Sequence, residues 1–276
     1  MIWIAGGAKG LWQQEAGRWR QVPAPPCPQR QVCAEKQVIC ACAGGEVWDP
    51  LRQSQLCACP GVERMVLSPC GRYVYLLSGE ADSVLCCRVR DGRLLYANRA
   101  GVWPQDLRLD KEGRHLVVAG GAAGEALVFT APELRLLHRY ALPGAACQAL
   151  FKGRKLVALL AVEEGQIRTA LGETGEQGYR EWGRWPGLPG MLCEGPGDQL
   201  ILGSLDQLAC FDWKQRAWRW RQFRQGLPVQ GQLHPRGLLL TDSLEGCVSL
   251  WRGKDQVLFC SENVFAMHNE GGNGLY

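Results

Sequence analysis

This 276-residue chain contains fourteen cysteines. They are the side chains with the most possible chemical roles, because thiols bind metals, form disulfides and act as nucleophiles. The nearest approach to a metal motif is Cys40-Ala41-Cys42 followed by Cys57-Ala58-Cys59. Zinc ligands are usually separated by about two to four residues, whereas a one-residue spacing on a strand only places two thiols on one face. We therefore expect buried free thiols rather than a metal site or disulfides, and no cofactor.

Two tryptophans and two arginines alternate in AWRWRQF, residues Ala217–Phe223. This pattern suits either a nucleic-acid-binding arm or the half-exposed outermost strand of a sheet. Burying each indole removes about 150–250 Å² from water, which outweighs the gain from leaving both rings exposed for stacking. We therefore expect a strand with Trp218 and Trp220 on one face and Arg219 and Arg221 on the other, and no nucleic-acid partner.

Composition indicates no membrane and no strongly charged partner. The chain has 31 basic and 27 acidic side chains, and its net charge is +4. Its longest apolar run, LVALLAV at 156–162, is far shorter than the about 18 residues that a membrane helix needs. The N-terminal MIWIAGG lacks the basic region and apolar stretch of a secretory signal. These features predict a cytoplasmic protein.

Internal repetition determines which elements position the reactive side chains. Residues 64–101 alternate short β-branched or aromatic runs with turn residues, which predicts four strands. The glycine that closes the first turn recurs at 71, 113, 153, 197 and 237, in steps of 42, 40, 44 and 40. A period near 40 with four strands is the spacing of a β-propeller blade.

The whole chain divides into seven such units. We predict an all-β, seven-bladed β-propeller in one domain, 1–276, built of four-stranded antiparallel blades. The first blade is closed by three N-terminal strands and one C-terminal strand, which leaves no open sheet edge. The approximate blades are 1–22 with 263–276, 30–60, 62–101, 103–144, 145–187, 190–226 and 228–262.

The stretch LSPCGRYVYLLSGEADSV at 67–84 resembles the repeat of the YVTN-type, lactonase-like seven-bladed propellers. Their serine-proline-aspartate-glycine turn and following aromatic strand are matched by Ser68, Pro69, Gly71, and 73–75; Cys70 replaces the aspartate. The likeness covers about residues 62–141. Blade six resembles quinoprotein-type repeats instead, and IWIAGGAKGLW resembles sensor-kinase propeller repeats.

The lactonase-like resemblance implies a site at the mouth of the central channel, where the innermost strands begin. An ester-cleaving site needs a base and an oxyanion stabiliser, and Asp106 with Arg64 or His268 would supply them. Alternatively, the polar groups at the mouth solvate the channel or bond to one another. The candidates at this level are Glu63, Arg64, Gln105, Asp106, Gln148, Gln230, Gln232 and His268.

Three functions remain open on the sequence. The favoured one is a non-catalytic scaffold that binds a protein partner or a small ligand through its loop-rich face or channel. The others are a lactonase-like hydrolase and, last, a nucleic-acid-binding protein. Rim-binding candidates for the scaffold are Trp103, Trp182 and Trp185, and burial between blades is the alternative for each.

Overall fold

A computed structural model describes residues 1–25, 28–34, 37–153, 155–252, 255–260 and 266–269, with the backbone alone at 29, 30, 255 and 266–269. The described residues form seven four-stranded antiparallel sheets arranged as a β-propeller. This confirms the predicted fold class. None of the described residues belong to a helix that is long and apolar enough to cross a bilayer.

The strands follow the blades in chain order. Blade 1 contributes β1 (Ile2–Ala5), β2 (Leu11–Glu15) and β3 (Arg18–Val22); blade 2 has β4 (Gln29–Ala34), β5 (Val38–Cys42), β6 (Glu46–Asp49) and β7 (Ser54–Ala58). Blade 3 has β8 (Val62–Leu67), β9 (Tyr73–Ser78), β10 (Ser83–Arg88) and β11 (Leu94–Arg99); blade 4 has β12 (Asp106–Leu109), β13 (His115–Ala119), β14 (Glu125–Thr130) and β15 (Leu136–Ala141).

The second half of the chain repeats this plan. Blade 5 has β16 (Ala145–Lys152), β17 (Lys155–Glu163), β18 (Ile167–Gly175) and β19 (Gly178–Pro186); blade 6 has β20 (Pro189–Glu194), β21 (Gln199–Ser204), β22 (Gln207–Asp212) and β23 (Ala217–Phe223). Blade 7 has β24 (Pro228–His234), β25 (Gly237–Asp242), β26 (Cys247–Trp251) and β27 (Asp255–Cys260). The last strand, β28 (Ala266–Asn269), pairs with β1 and is the innermost strand of blade 1, as predicted.

Apolar side chains fill the spaces between neighbouring blades as seven clusters. Because strand side chains alternate between the two faces of a sheet, one strand serves two interfaces. On β9, Val74 and Leu76 pack towards blade 2, whereas Tyr75 and Leu77 pack towards blade 4. Full burial of each such side chain stabilises the fold by about 1.5–3 kcal/mol, which explains the near-continuous apolar runs of the middle strands.

Strand direction gives the ring two different faces. The innermost strand of each blade begins at the top face, which also carries the loops between blades and between second and third strands. The bottom face carries the turns between first and second and between third and fourth strands. The repeated glycines at 71, 113, 153 and 197 lie in these bottom turns, and Gly237 directly follows one; all five have positive φ, a conformation that favours glycine.

The outermost pair of strands contains a β-bulge in blades 2 to 7. On β23 the pairing shifts so that Cys210 faces Trp220 and Phe211 faces Trp218. The ring of Trp218 therefore packs on Phe211 with centroids 5.1 Å apart, on the blade 5 side, whereas Trp220 lies 5.0 Å from Trp251 of blade 7. The expectation that both tryptophans share one face was wrong, because the bulge inserts a residue between them.

The thirteen cysteines among the described residues are not joined in disulfides, and most are buried. Cys40, Cys42 and Cys59 are fully enclosed, and Cys57 is half-buried. This agrees with the expectation that the two Cys-Ala-Cys stretches pack the core. Cys27 lies outside the described residues.

Candidate functional site

The innermost strands begin with an irregularity that sets the direction of their polar side chains. A β-bulge interrupts the pairing at the start of the innermost strand in blades 2, 3, 5, 6 and 7. Arg64, Gln148 and Gln230 each follow such a bulge directly. Bulges re-aim side chains at the rims of closed sheets, so these residues are positioned by the same local device in different blades.

Asp106 is held by two arginines at the channel mouth. Its side chain is only 5% exposed, its Oδ1 lies 3.5 Å from Nε of Arg64, and its Oδ2 accepts a hydrogen bond of 2.7 Å from Nε of Arg108. The structure thus brings the predicted Arg64 and Asp106 together across blades 3 and 4. Sequence reasoning missed Arg108, although its position two residues after Asp106 on one strand places both side chains on the same face.

Gln148 continues these contacts into blades 6 and 7. Its Oε1 accepts hydrogen bonds from Nη2 of Arg108 at 2.7 Å and from the backbone N–H of Leu192 at 2.5 Å. Its Nε2 donates to the carbonyls of Gly190 at 3.0 Å and Val229 at 3.2 Å. The side chain is buried and its hydrogen-bonding capacity is filled. We call Arg64, Asp106, Arg108 and Gln148 the channel network.

The chemistry available to the channel network is limited. Both oxygens of Asp106 face guanidinium groups, and burial raises the pKa of the nearby thiols Cys147 and Cys193 to about 11 and about 12. Neither thiol is a nucleophile at neutral pH. Within the described residues, no group of three or more His, Cys, Asp and Glu side chains could hold a metal ion. The arrangement can join blades and bind polar groups, but it lacks an activated nucleophile.

The other predicted channel residues have different surroundings. Glu63, half-buried, packs against Gly79, and Gln105 is exposed and donates from Nε2 to the carbonyl of Trp103 at 2.9 Å. Gln230 and Gln232 are half-buried on β24. His268 lies on β28 opposite Trp3 in the pairing, and its side chain is outside the described residues.

Trp103 differs from all of these because it is a large exposed aromatic residue in a constrained loop. Its side chain is 63% exposed on the top face, and its φ is +51°. A bulky residue rarely adopts this left-handed conformation, which costs about 1–3 kcal/mol. Its backbone N–H donates to Oδ1 of Asp82 at 2.8 Å, and its carbonyl accepts from Gln105. Gly121 lies so close that a Cβ there would be 1.9 Å from the Trp103 carbonyl oxygen.

The two other tryptophans predicted for the rim are packed between blades 5 and 6. Trp185 is 5% exposed, and its Nε1 donates to Oγ of Ser204 at 2.8 Å. The half-buried Trp182 stacks on Phe211 with ring centroids 4.9 Å apart and an interplanar angle of 8°. The structure therefore places only Trp103 of the three in a position to meet another molecule with most of its ring.

Further exposed apolar side chains lie on the top face with Trp103. They belong to loops or strand ends of blades 4 to 7, and they are Val102, Ile167, Leu188, Phe223 and Leu244. We call these residues and Trp103 the top apolar surface. Its members are distributed over four blades on one face of the ring.

Comparisons with known proteins show the fold alone. No protein-family model matches the sequence, and no curated protein matches it. Among solved structures, hydrazine synthase of Kuenenia stuttgartiensis has a TM-score of 0.68 and 13% identity, with 86% of this chain and 80% of that chain covered. A putative 6-phosphogluconolactonase of Bacteroides fragilis has a TM-score of 0.67 and 11% identity, with 97% and 96% covered.

Proposed function

We propose that the chain is a non-catalytic scaffold that binds a protein partner through the top apolar surface, with Trp103 as its main anchor. The main support for this proposal is that Trp103 is exposed in a strained backbone conformation. Hydrogen bonds with Asp82 and Gln105 and the close approach of Gly121 hold that conformation in place. Strain of this kind persists where the surrounding structure holds it, and it concentrates at binding sites. Reduced cysteines support a cytoplasmic location, because that compartment keeps thiols from forming disulfides.

The energetics favour a protein partner over a small ligand. Covering an indole removes about 150–250 Å² from water, which is worth up to about 4–6 kcal/mol. Tryptophans of this kind are frequent hot spots of protein interfaces. The other members of the top apolar surface are spread through blades 4 to 7, which suits a broad interface rather than an enclosed pocket. At the channel mouth, the carboxylate of Asp106 and the amide of Gln148 are already engaged within the channel network, so fewer polar groups are left for a small ligand.

A lactonase-like hydrolase is less well supported. Such an enzyme needs a base within reach of a substrate proton, and both oxygens of Asp106 are engaged by Arg64 and Arg108. The similarity to a putative 6-phosphogluconolactonase rests on 11% identity. We expect no hydrolysis of sugar lactones or simple esters by the purified chain, and turnover that Asp106→Asn abolishes would refute the scaffold proposal.

The docking proposal is tested by comparing proteins retained by three immobilised variants. The three proteins are the wild type, Trp103→Ala and the matched control Leu51→Ala. Leu51 is as exposed as Trp103, at 63%, but it lies in the β6–β7 turn on the bottom face. We expect a partner that the wild type and Leu51→Ala retain and that Trp103→Ala loses by about 30-fold or more in affinity, the effect of a hot-spot residue. Equal retention by all three variants would contradict the proposal.

A further inference from the structure

A cavity on the bottom face lies between the turns of blades 2 and 3, away from both the channel mouth and the top apolar surface. Its volume is about 330 Å³. Four arginines from three different turns line it, namely Arg52, Arg72, Arg88 and Arg90. Gln37 of blade 2 also lines the cavity. Its Nε2 donates a hydrogen bond of 2.5 Å to the carbonyl of Gly71 in blade 3. We call it the arginine cavity.

The arginine cavity has more positive than negative charge. Oδ2 of Asp49 lies 3.5 Å from Nε of Arg52. Asp91 accepts two hydrogen bonds from Arg88, at 2.9 and 2.6 Å, and lies 3.8 Å from Nε of Arg90. Among the described residues, two carboxylates thus face four guanidinium groups, which leaves positive charge in excess. Arg52 and Arg90 are well exposed, so their ion pairs contribute little and can be exchanged for a ligand.

Arg72 is the arginine with no carboxylate partner within the ranges that the structure describes. Its Nε donates to Sγ of Cys70 at 3.4 Å, and its guanidinium lies 5.7 Å from the ring centroid of Tyr73. Burial opposes ionisation of the Cys70 thiol, but hydrogen bonds with Arg72 and Ser68 lower its pKa to about 7. The hydrogen bond from Arg72 therefore favours the thiolate form of Cys70 at the edge of the cavity.

We propose that the arginine cavity binds a small molecule through a phosphate group. Guanidinium groups bind phosphate oxygens with paired hydrogen bonds, and arginine is preferred over lysine where this planar geometry matters. The excess of positive charge among these described groups suits a phosphate anion. The volume is at the lower end of the range for small-molecule pockets, which accommodates a phosphate with a small attached group. The site lies on the opposite face from the docking surface, so each proposal can fail alone.

The first test is calorimetric titration with inorganic phosphate, in sodium chloride of matched ionic strength. We expect saturable binding at one site and a loss of affinity of about tenfold or more in Arg72→Gln, because a hydrogen bond to a charged group is removed. Arg90→Gln should weaken binding several-fold, and this residue is exposed enough for the variant to fold. Arg135→Gln, an exposed arginine in a bottom turn of blade 4, is the matched control and should leave affinity unchanged.

Absence of saturable binding would overturn the proposal, and so would an equal loss in Arg135→Gln, since that result indicates diffuse charge attraction. A second measurement locates the ligand. Bound phosphate competes for Arg72 and adds negative charge beside Cys70, so alkylation of Cys70 by iodoacetamide at pH 7 should slow several-fold. Cys260, another exposed thiol, should react at the same rate with and without phosphate. Unchanged alkylation at Cys70 would place any bound phosphate elsewhere and contradict the proposal.

Discussion

The sequence predicted the contacts of some side chains and not those of others. Arg64 and Asp106 were predicted together because both lie where an innermost strand begins. Arg108 was not, because it lies two residues past the start of its strand, although the alternation of side chains places it on the same face as Asp106. Trp103 and Trp185 look alike in the sequence, yet one is exposed and the other buried. Loop conformation decides between these outcomes, and a pattern of residue types does not specify it.

Gln148 has the most consequential polar contacts at the channel mouth. We predict that Gln148→Leu lowers the free energy of unfolding by about 3 kcal/mol or more, because it leaves several buried partners without a hydrogen bond. Urea denaturation monitored by tryptophan fluorescence measures this loss. Gln166→Leu, in the exposed β17–β18 turn, is the control and should change stability by less than about 0.5 kcal/mol. If the two variants were equally stable, the channel network would not hold the blades together.

Strands and turns show which local structure the sequence specifies. The bottom-turn glycines were predictable, because their spacing repeats and their positive φ favours glycine. The outer-strand bulges were not. Arg219 of the bulged strand is neither glycine nor asparagine, and a seven-residue alternation does not mark the place where pairing slips by one residue. Because of the bulge, Trp218 and Trp220 pack in different blade interfaces. Their rings contact other side chains of the protein there, so they are not arranged for stacking on nucleic-acid bases.

The loop that holds Trp103 depends on a glycine in the neighbouring β13–β14 turn. We predict that Gly121→Ala destabilises the fold by about 2 kcal/mol more than Gly165→Ala. Both glycines have positive φ, at +58° and +72°. Only at Gly121 would the new Cβ meet another atom, the carbonyl oxygen of Trp103 at 1.9 Å, whereas nothing lies within 4 Å at Gly165. Chemical denaturation of both variants isolates this steric contribution, and equal losses would show that the Trp103 loop moves away freely.

At the scale of the whole molecule, the fold was predictable because the period of about 40 residues recurs through blades 3 to 7 and the rest of the chain has the length of two further blades. Each blade buries both faces against its neighbours, so one pattern of apolar strands suffices for all seven interfaces. The arginine cavity could not be predicted in the same way. Its four arginines come from three turns of two blades, and nothing in their sequence spacing indicates that these turns converge.

Closure of the ring is the property that belongs to the whole molecule alone. β28 pairs with β1 from Ile2 opposite Asn269 to Ala5 opposite Ala266, and this pairing joins the two ends of the propeller. We predict that truncation after residue 260 lowers stability by about 3 kcal/mol or more, because it removes the backbone hydrogen bonds of a complete strand. The exposed edge of β1 should also promote association, since an unpaired strand is a template for another chain.

Thermal unfolding and size-exclusion chromatography measure the two effects of this truncation. Truncation after residue 269 is the matched control, because it preserves β28 and its pairing with β1. Adding a peptide that spans residues 261–269 should restore part of the lost stability in a concentration-dependent manner, since a segment that binds only the folded ring stabilises it by mass action. A truncated chain that remained monomeric and as stable as the control would mean that six complete blades sustain the ring without the C-terminal strand.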